Sequence, residues 1–312
     1  MIDSVPKVAV LLASYNGEKW IEEQIESILS QKNVALNLFI YDDLSTDKTI
    51  EIITSKYKNN IILLPNLKNR LGSAAKNFFY LIKNTELKDY NYVALSDQDD
   101  IWMDCKIING IKKMNSDSFD FYSSNVLAFW PGGFKKIIKK SQRKKKYDHF
   151  FQSPGPGCTF IIKNNSFSNL KKFVKNNYTN LNYIFAHDWL IYAFAINNNF
   201  KWIIDSNNYI KYRQHSDNSL GANFGIKSYL KRAYAIYNGN YRNEIINITS
   251  ITNCKSSIID ALIGLNFFDR IYLFFNSINF RRNLLEAIFL SFFFLIMKKK
   301  INKYNYDNIL ND

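Results

Sequence analysis

The chain has 312 residues, 47% of them hydrophobic and 16% aromatic, enough for one large core or two ordinary ones. Its formal net charge of +14 suits nucleic acid, an anionic membrane or a phosphorylated substrate and does not choose among them. Cys105, Cys158 and Cys254 lie far apart, which excludes a disulfide framework or cysteine metal spacing and fits a reducing compartment.

The opening stretch MIDSVPKVAVLLASYNG lacks the basic leader of a signal peptide, and its apolar run has the length of a strand. Val8 to Ala13 is continuously apolar, as in a strand covered on both faces. Ile21, Ile25, Ile28 and Leu29 then recur at helical spacing. Leu36 to Tyr41 reads as a second strand ending at Asp42-Asp43, and Ile50, Ile53 and Tyr57 mark a second helix. Ile61 to Leu64 is a third strand, followed by a helix face of Ala75, Phe78, Phe79 and Ile82. Tyr92 to Leu95 is a fourth strand, and Ile107, Ile111 and Met114 form the next helix face. This alternation predicts an α/β fold with a mostly parallel sheet flanked by helices.

After about residue 125 the rhythm changes. Lys135 to Lys146, with eight Lys or Arg in twelve positions, reads as a loop following Pro131-Gly132-Gly133. Gly155-Pro156-Gly157-Cys158 leads into a strand, Thr159 to Ile162, and Ser166 is placed to cap a helix with Leu170, Phe173 and Val174 inward. Asp188 opens another apolar helix. Phe200 to Ile204 and Tyr209 to Tyr212 read as two strands, the second ending at Arg213-Gln214-His215. From about 226 the pattern is helical, basic and aromatic, which divides the chain into a region 1–225 and a C-terminal region 226–312.

In open α/β sheets ligands bind beyond the carboxyl ends of the strands. Three such ends here are polar: Ser14 to Gly17, Asp42-Asp43, and Asp97 to Asp100. Like charges as close as Asp97, Asp99 and Asp100 repel, unless a hard divalent cation such as Mg²⁺ or Mn²⁺ sits among them. Residues i and i+2 of an extended loop point the same way, so Asp97 and Asp99 can face one ion. The alternative is an Asp-rich turn with solvated carboxylates.

The blocks LLASYNGEKWIEEQIESILSQ, IYDDLSTDKTIEII, LGSAAKNFFYLI and YVALSDQDDIW, in this order and spacing, resemble family 2 glycosyltransferases of the GT-A fold, closest to the bacterial rhamnosyltransferase-like group of cell-surface polysaccharide synthesis. The similarity covers about residues 5–220. It implies an inverting, metal-dependent enzyme that moves a sugar from a nucleotide-sugar, dTDP-rhamnose or a UDP-hexose, to a saccharide hydroxyl on a polyprenyl diphosphate lipid. It further implies that Ala13, Tyr15 and Asn16 line the nucleotide pocket and that Asp43 accepts the ring N3–H of uracil or thymine. Asp42-Asp43 can equally cap the following helix. Lys76 reaches the diphosphate or is a solvated surface lysine. Asp97 and Asp99 hold the ribose and the metal, and Asp100 supports the loop. Asp188 is the general base by resemblance and a helix N-cap by position. His215 offers an imidazole to the metal or to phosphate, and Arg213 contacts the diphosphate or makes a structural ion pair. Gly157-Cys158-Thr159 matches the segment where the acceptor approaches.

The longest late apolar run, Leu284 to Met297, is too short to span a bilayer and contains Glu286. Arg281-Arg282 and Lys298-Lys299-Lys300 bracket it, as in a helix lying in the membrane interface; a buried homodimer helix is the alternative. The enzyme is then expected in the cytoplasm, peripheral on the inner face of the membrane. Two other classes compete. A nucleotidyltransferase would also use paired aspartates and Mg²⁺, but the chain has no Gly-rich phosphate loop. A nucleic-acid-binding module would find the acidic rim unsuited to a phosphate backbone.

Overall fold

The computed structural model describes residues 5–215 and 226–299, and of residues 226–228 only the backbone. The first strand, β1 (Lys7–Ser14), is buried at every position after Lys7. Its alternate side chains feed two cores. Val8, Val10 and Leu12 pack with Ile21, Ile25 and Ile28 of α1 (Ile21–Leu29), while Ala9, Leu11 and Ala13 enter the other core. On one side of β1, β2 (Ala35–Asp42) pairs in parallel, and beyond α2 (Thr49–Tyr57) so does β3 (Ile61–Leu63) on β2. On the other side, after α3 (Ala74–Asn84), β4 (Tyr92–Ser96) pairs with β1 in parallel. All four strands therefore present their carboxyl ends on one rim.

The chain then builds β5 (Ile101–Trp102), α4 (Lys106–Ser116), β6 (Phe121–Phe129), β7 (Lys135–Ile138), α5 (Asp148–Phe151), β8 (Ile161–Lys163), α6 (Asn164–Asn176), α7 (His187–Asn197) and β9 (Trp202–Arg213). The strand order is β3-β2-β1-β4-β8-β6-β9-β5, with β7 on β6. β8 runs antiparallel to both β4 and β6, and β5 and β7 are antiparallel too, so the sheet is mixed. Five helices follow: α8 (Ile226–Tyr237), α9 (Asn240–Ile251), α10 (Ser257–Gly264), α11 (Phe267–Asn276) and α12 (Leu284–Ile296). Ile245, Leu262, Leu273 and Phe294 join the core that holds Ala9, Phe78 and Leu190. The C-terminal helices thus extend one face of the sheet. No helix among the described residues is long and apolar enough to cross a membrane.

Several local expectations change. The basic stretch is no plain loop: Trp130 to Phe134 is a hairpin turn, and Lys135–Ile138 is β7. The strand expected over Thr159 to Ile162 begins only at Ile161, because Gly157–Thr159 coil into a 3₁₀ turn. Ser166 does not cap α6. The helix starts at Asn164, and the Ser166 hydroxyl donates to Asp120 at 3.2 Å. The two late strands are one, β9, whose register on β6 shifts near Asn125. Asp42 and Asp43 do not cap α2 either; Asp47 takes the amide of Thr49 at 3.0 Å. The boundary at 225 and Lys300 lie outside the described residues.

Candidate active site

At the end of β1 the chain turns through Asn16, whose φ of 49° is left-handed. Asn16 donates its amide to Ser45 Oγ (2.8 Å) and accepts from the amide of Thr46 (2.9 Å). Buried Asp42 accepts from Ser14 Oγ (2.8 Å) and from Ser45 Oγ (2.6 Å). These bonds lock the β1 and β2 ends together. The next residue, Asp43, is also buried. Its two oxygens accept from the amides of Leu71 (2.6 Å) and Gly72 (2.8 Å), which fixes the loop entering α3. From that loop the Arg70 guanidinium lies over the Tyr15 ring, 3.6 Å from its centroid. Ala13, buried in β1, Tyr15, Asn16 and Asp43 thus gather on one side of the rim. Lys76 sits half-buried in the first turn of α3, whose N-cap is Ser73.

Past β4, Gln98 joins the two halves of the rim. Its side chain accepts from the Tyr15 amide (2.8 Å) and donates to the Tyr15 carbonyl (2.9 Å). An added Cβ on Gly17 would lie 2.4 Å from the Gln98 oxygen, so Gly17 is needed for that approach.

The aspartates do not share one fate. Asp99 Oδ2 lies 2.9 Å from His215 Nε2, and the His215 ring stacks on Trp20 at 3.9 Å. Asp97, Asp100 and Cys158 converge, with one ligand atom from each within 4.8 Å of the others. Asp97, Asp99 and His215 are not such a group among the described residues. Burial, then the charges of Asp99 and Asp188, push the Asp97 carboxyl up to about 7. Burial, then the charges of Asp99 and Asp97, raise Asp100 well above its usual range. Asp100 accepts the Arg213 amide at 3.1 Å, which is the loop-supporting role expected of it. Its other oxygen is buried and has no hydrogen-bond partner.

Mutually repelling oxygen donors with an orphaned buried oxygen suit a hard divalent cation. Cys158 does not fit such an ion. Burial and the adjacent aspartates raise its thiol well above the ordinary value, so no thiolate is available. Beneath the cluster, buried Lys106 lies against the Trp102 ring (3.3 Å) and faces Asp100; burial lowers its pKa to about 7.

Arg213 is committed to the scaffold. It donates through Nε to the Asp99 carbonyl (2.9 Å), and its Nη2 pairs with Glu23. Asp188 is not the N-cap of α7. Ala186 holds that position, and Asp188 sits in the first turn, accepting the Trp189 amide at 2.8 Å. It is buried and close enough to Asp97 for each charge to matter. Burial raises its pKa, while Ser153 and the Trp189 amide pull the other way. The orphan amides at the start of α7 go to Glu244 of α9, which accepts from Phe185 and Ala186, both at 3.0 Å. Gln98, Lys106 and Glu244 were not singled out from sequence. Gln98 was hidden because its grip on the Tyr15 backbone is a contact between residues 83 positions apart.

A sheet whose parallel strands end in an acidic rim, continued by a mixed half and faced by a further carboxylate at the start of α7, is the layout of a GT-A glycosyltransferase. Residues 9–176 match the family described as Glycosyl transferase family 2, and the chain belongs to that family. It is 39% identical over 282 residues to dTDP-rhamnosyl transferase RfbG of Shigella flexneri, covering 89% of this chain and 97% of that protein. A shorter match, 33% over 118 residues, is to the UDP-Glc:alpha-D-GlcNAc-diphosphoundecaprenol beta-1,3-glucosyltransferase WfaP of Escherichia coli, covering 38% of this chain and 45% of WfaP. Among solved structures, S. aureus TarS 1-349 in complex with UDP superposes with a TM-score of 0.53 at 17% identity. That alignment covers 82% of this chain and 69% of TarS and speaks for the fold.

Proposed function

We propose that this enzyme transfers rhamnose from dTDP-rhamnose, with inversion, to a hydroxyl of a saccharide carried on a lipid diphosphate. The observation that carries the donor is 39% identity along nearly the whole of a dTDP-rhamnosyl transferase. The glucosyltransferase WfaP keeps a UDP-hexose as the second reading, and its name supports the lipid diphosphate acceptor.

In this reading Tyr15 and Asp43 receive the nucleotide on the β1–β2 side, and Lys76 approaches the diphosphate from α3. Asp97 and Asp99, with His215 beside Asp99, would hold Mg²⁺ or Mn²⁺, which would supply positive charge to offset that gained by the departing nucleoside diphosphate. Asp188 takes the acceptor hydroxyl's proton as that oxygen attacks from the opposite face of the sugar. Its raised pKa suits the task, since a stronger base accepts the proton more readily.

The enzyme works at the inner membrane surface from the cytoplasm. Leu285, Phe289 and Phe292 of α12 and Phe267, Phe268 and Phe275 of α11 are exposed, with Lys298 and Lys299 at the end of α12. That combination supports a helix pair lying in the headgroup layer. Sedimentation with anionic vesicles tests it; a stable dimer that ignores vesicles would assign the same face to a second copy.

The donor is tested by incubating the full chain with dTDP-rhamnose or UDP-glucose and Mn²⁺ and following release of the nucleoside diphosphate. The expected result is turnover and thermal stabilisation with dTDP-rhamnose. Turnover with UDP-glucose alone would replace the donor, and turnover with neither would end the reading.

A further inference from the structure

A second charged cluster lies near Asp188, reaching it through Lys140. It is built from residues that no short motif connects. Lys140 follows β7, Arg232 stands on α8, and Arg281 and Arg282 precede α12. Arg281 and Arg282 reach the Phe151 to Ser153 backbone, just ahead of the Gly155-Pro156-Gly157 segment, and Lys140 and Arg232 lie close enough to feel their charges. Arg281 donates to the Phe151 carbonyl at 2.7 Å and pairs with Glu286. Arg282 is buried, pairs with buried Asp148 at 3.2 Å and donates to the Ser153 carbonyl.

Two members remain uncommitted. The Lys140 ammonium and the Arg232 guanidinium are half-buried, and neither has an ion pair or side-chain hydrogen bond among the described residues. Five cations, Lys140, Lys144, Arg232, Arg281 and Arg282, thus face three carboxylates, Glu286, Asp148 and Asp188, leaving an excess of about two positive charges. Burial and then the repulsion of Arg282 and Arg281 lower the Lys140 pKa to about 8; burial and Arg281 likewise lower Arg232. A folded chain keeps such an imbalance at a cost, which a bound dianion offsets.

The position matches the chemistry. Lys140 is near enough to act on the charge of Asp188, and Ser153, whose carbonyl takes the Arg282 guanidinium, lies close enough to Asp188 to lower its pKa. Tyr229, beside Arg232, is exposed together with Leu230 and Tyr234 on α8, where an apolar tail would leave the cluster.

We propose that Lys140, Arg232 and Arg281 form an acceptor-diphosphate site, holding the diphosphate of the lipid-linked saccharide while its hydroxyl reaches Asp188. This rests on the lipid-diphosphate reading of the acceptor given above, and it separates that diphosphate from the donor's, which lies at the acidic rim. Charge-assisted bonds from Lys and Arg to phosphate oxygens supply the affinity.

The test is calorimetric. The full chain, saturated with dTDP and Mn²⁺ to fill the donor side, is titrated with geranyl diphosphate and, separately, with geraniol. The expected result is saturable binding of geranyl diphosphate only. Lys140→Gln and Arg232→Gln should each weaken it by roughly tenfold or more, while Lys140→Arg, which keeps the charge and the fold, stays within a few-fold of wild type. No binding by the wild type, or equal binding by the Gln variants, would overturn the proposal. So would loss of binding to phosphatidylglycerol vesicles in variants that still take geranyl diphosphate normally, since the cations would then serve lipid headgroups. The donor assay is independent: turnover of dTDP-rhamnose with failed geranyl diphosphate binding sinks this site alone, and the reverse outcome sinks the donor assignment alone.

Discussion

Two charged clusters flank Asp188, and they differ in how they are made. The acidic one comes from a single turn, Asp97 to Asp100, at the end of β4. The basic one draws Lys140, Arg232, Arg281 and Arg282 from three distant parts of the chain. The first is aligned by strand register and by Gln98 gripping the Tyr15 backbone. The second exists only once α8, α9 and α12 have packed onto the sheet. On the proposed reading the donor side rests on the parallel half, whereas the acceptor side depends on the C-terminal helices. Those helices do more than cover a surface: Glu244 of α9 holds the start of the helix that carries Asp188.

The residue between the clusters should give the largest effect. Asp188→Asn is expected to lower kcat by about 10²–10⁴-fold with donor affinity retained, measured by turnover and by dTDP titration. Wild-type turnover would break the link between the two halves. Next is the buried Asp148–Arg282 pair. Arg282→Ala leaves Asp148 buried without its cation and should cost about 3–5 kcal/mol of stability, read from denaturant unfolding. A negligible change would mean that the C-terminal helices are not anchored there.

Glu244→Ala should cost about 1–2 kcal/mol, as for a lost cap, and lower kcat without changing donor affinity. Glu244→Gln, which keeps the accepting oxygen, should restore both. Equal kcat in wild type and Glu244→Ala would show that α9 does not position Asp188.

The last effect is electrostatic. Asp97 holds its proton to about pH 7 when folded, against 3.8 as the ordinary value. Protonation therefore favours the folded state. That contribution is complete below pH 3.8 and is lost as pH rises through about 7. Without divalent cation, stability should fall across this window, and Mn²⁺ should offset the fall most at the upper end. Asp97→Asn should flatten the profile.

The parallel half was legible because its signals are local. Val8 to Ala13 and Tyr92 to Leu95 are apolar runs bounded by polar turns, and strand direction puts those turns on one rim. The reading of Asp188 as a base came only through family likeness, since its approach to Asp97 is a tertiary fact. The β6–β7 hairpin was missed because lysine density outweighed Ile137 and Ile138, whose pairing with Leu127 and Val126 turns a basic stretch into a strand. Glu244 and Arg232 look like ordinary charges on amphipathic helices. Their roles appear only where those helices end against Ala186 and Arg281.

The central claim is that Asp97 and Asp99 hold a divalent cation against the donor diphosphate, facing Asp188. Crystals soaked with dTDP and Mn²⁺ test it through the anomalous signal of manganese. A peak bonded to Asp97 or Asp99 and to the diphosphate oxygens, on the Asp188 side of Gln98, is the predicted result. A diphosphate bound away from both aspartates with no manganese beside it would contradict the claim.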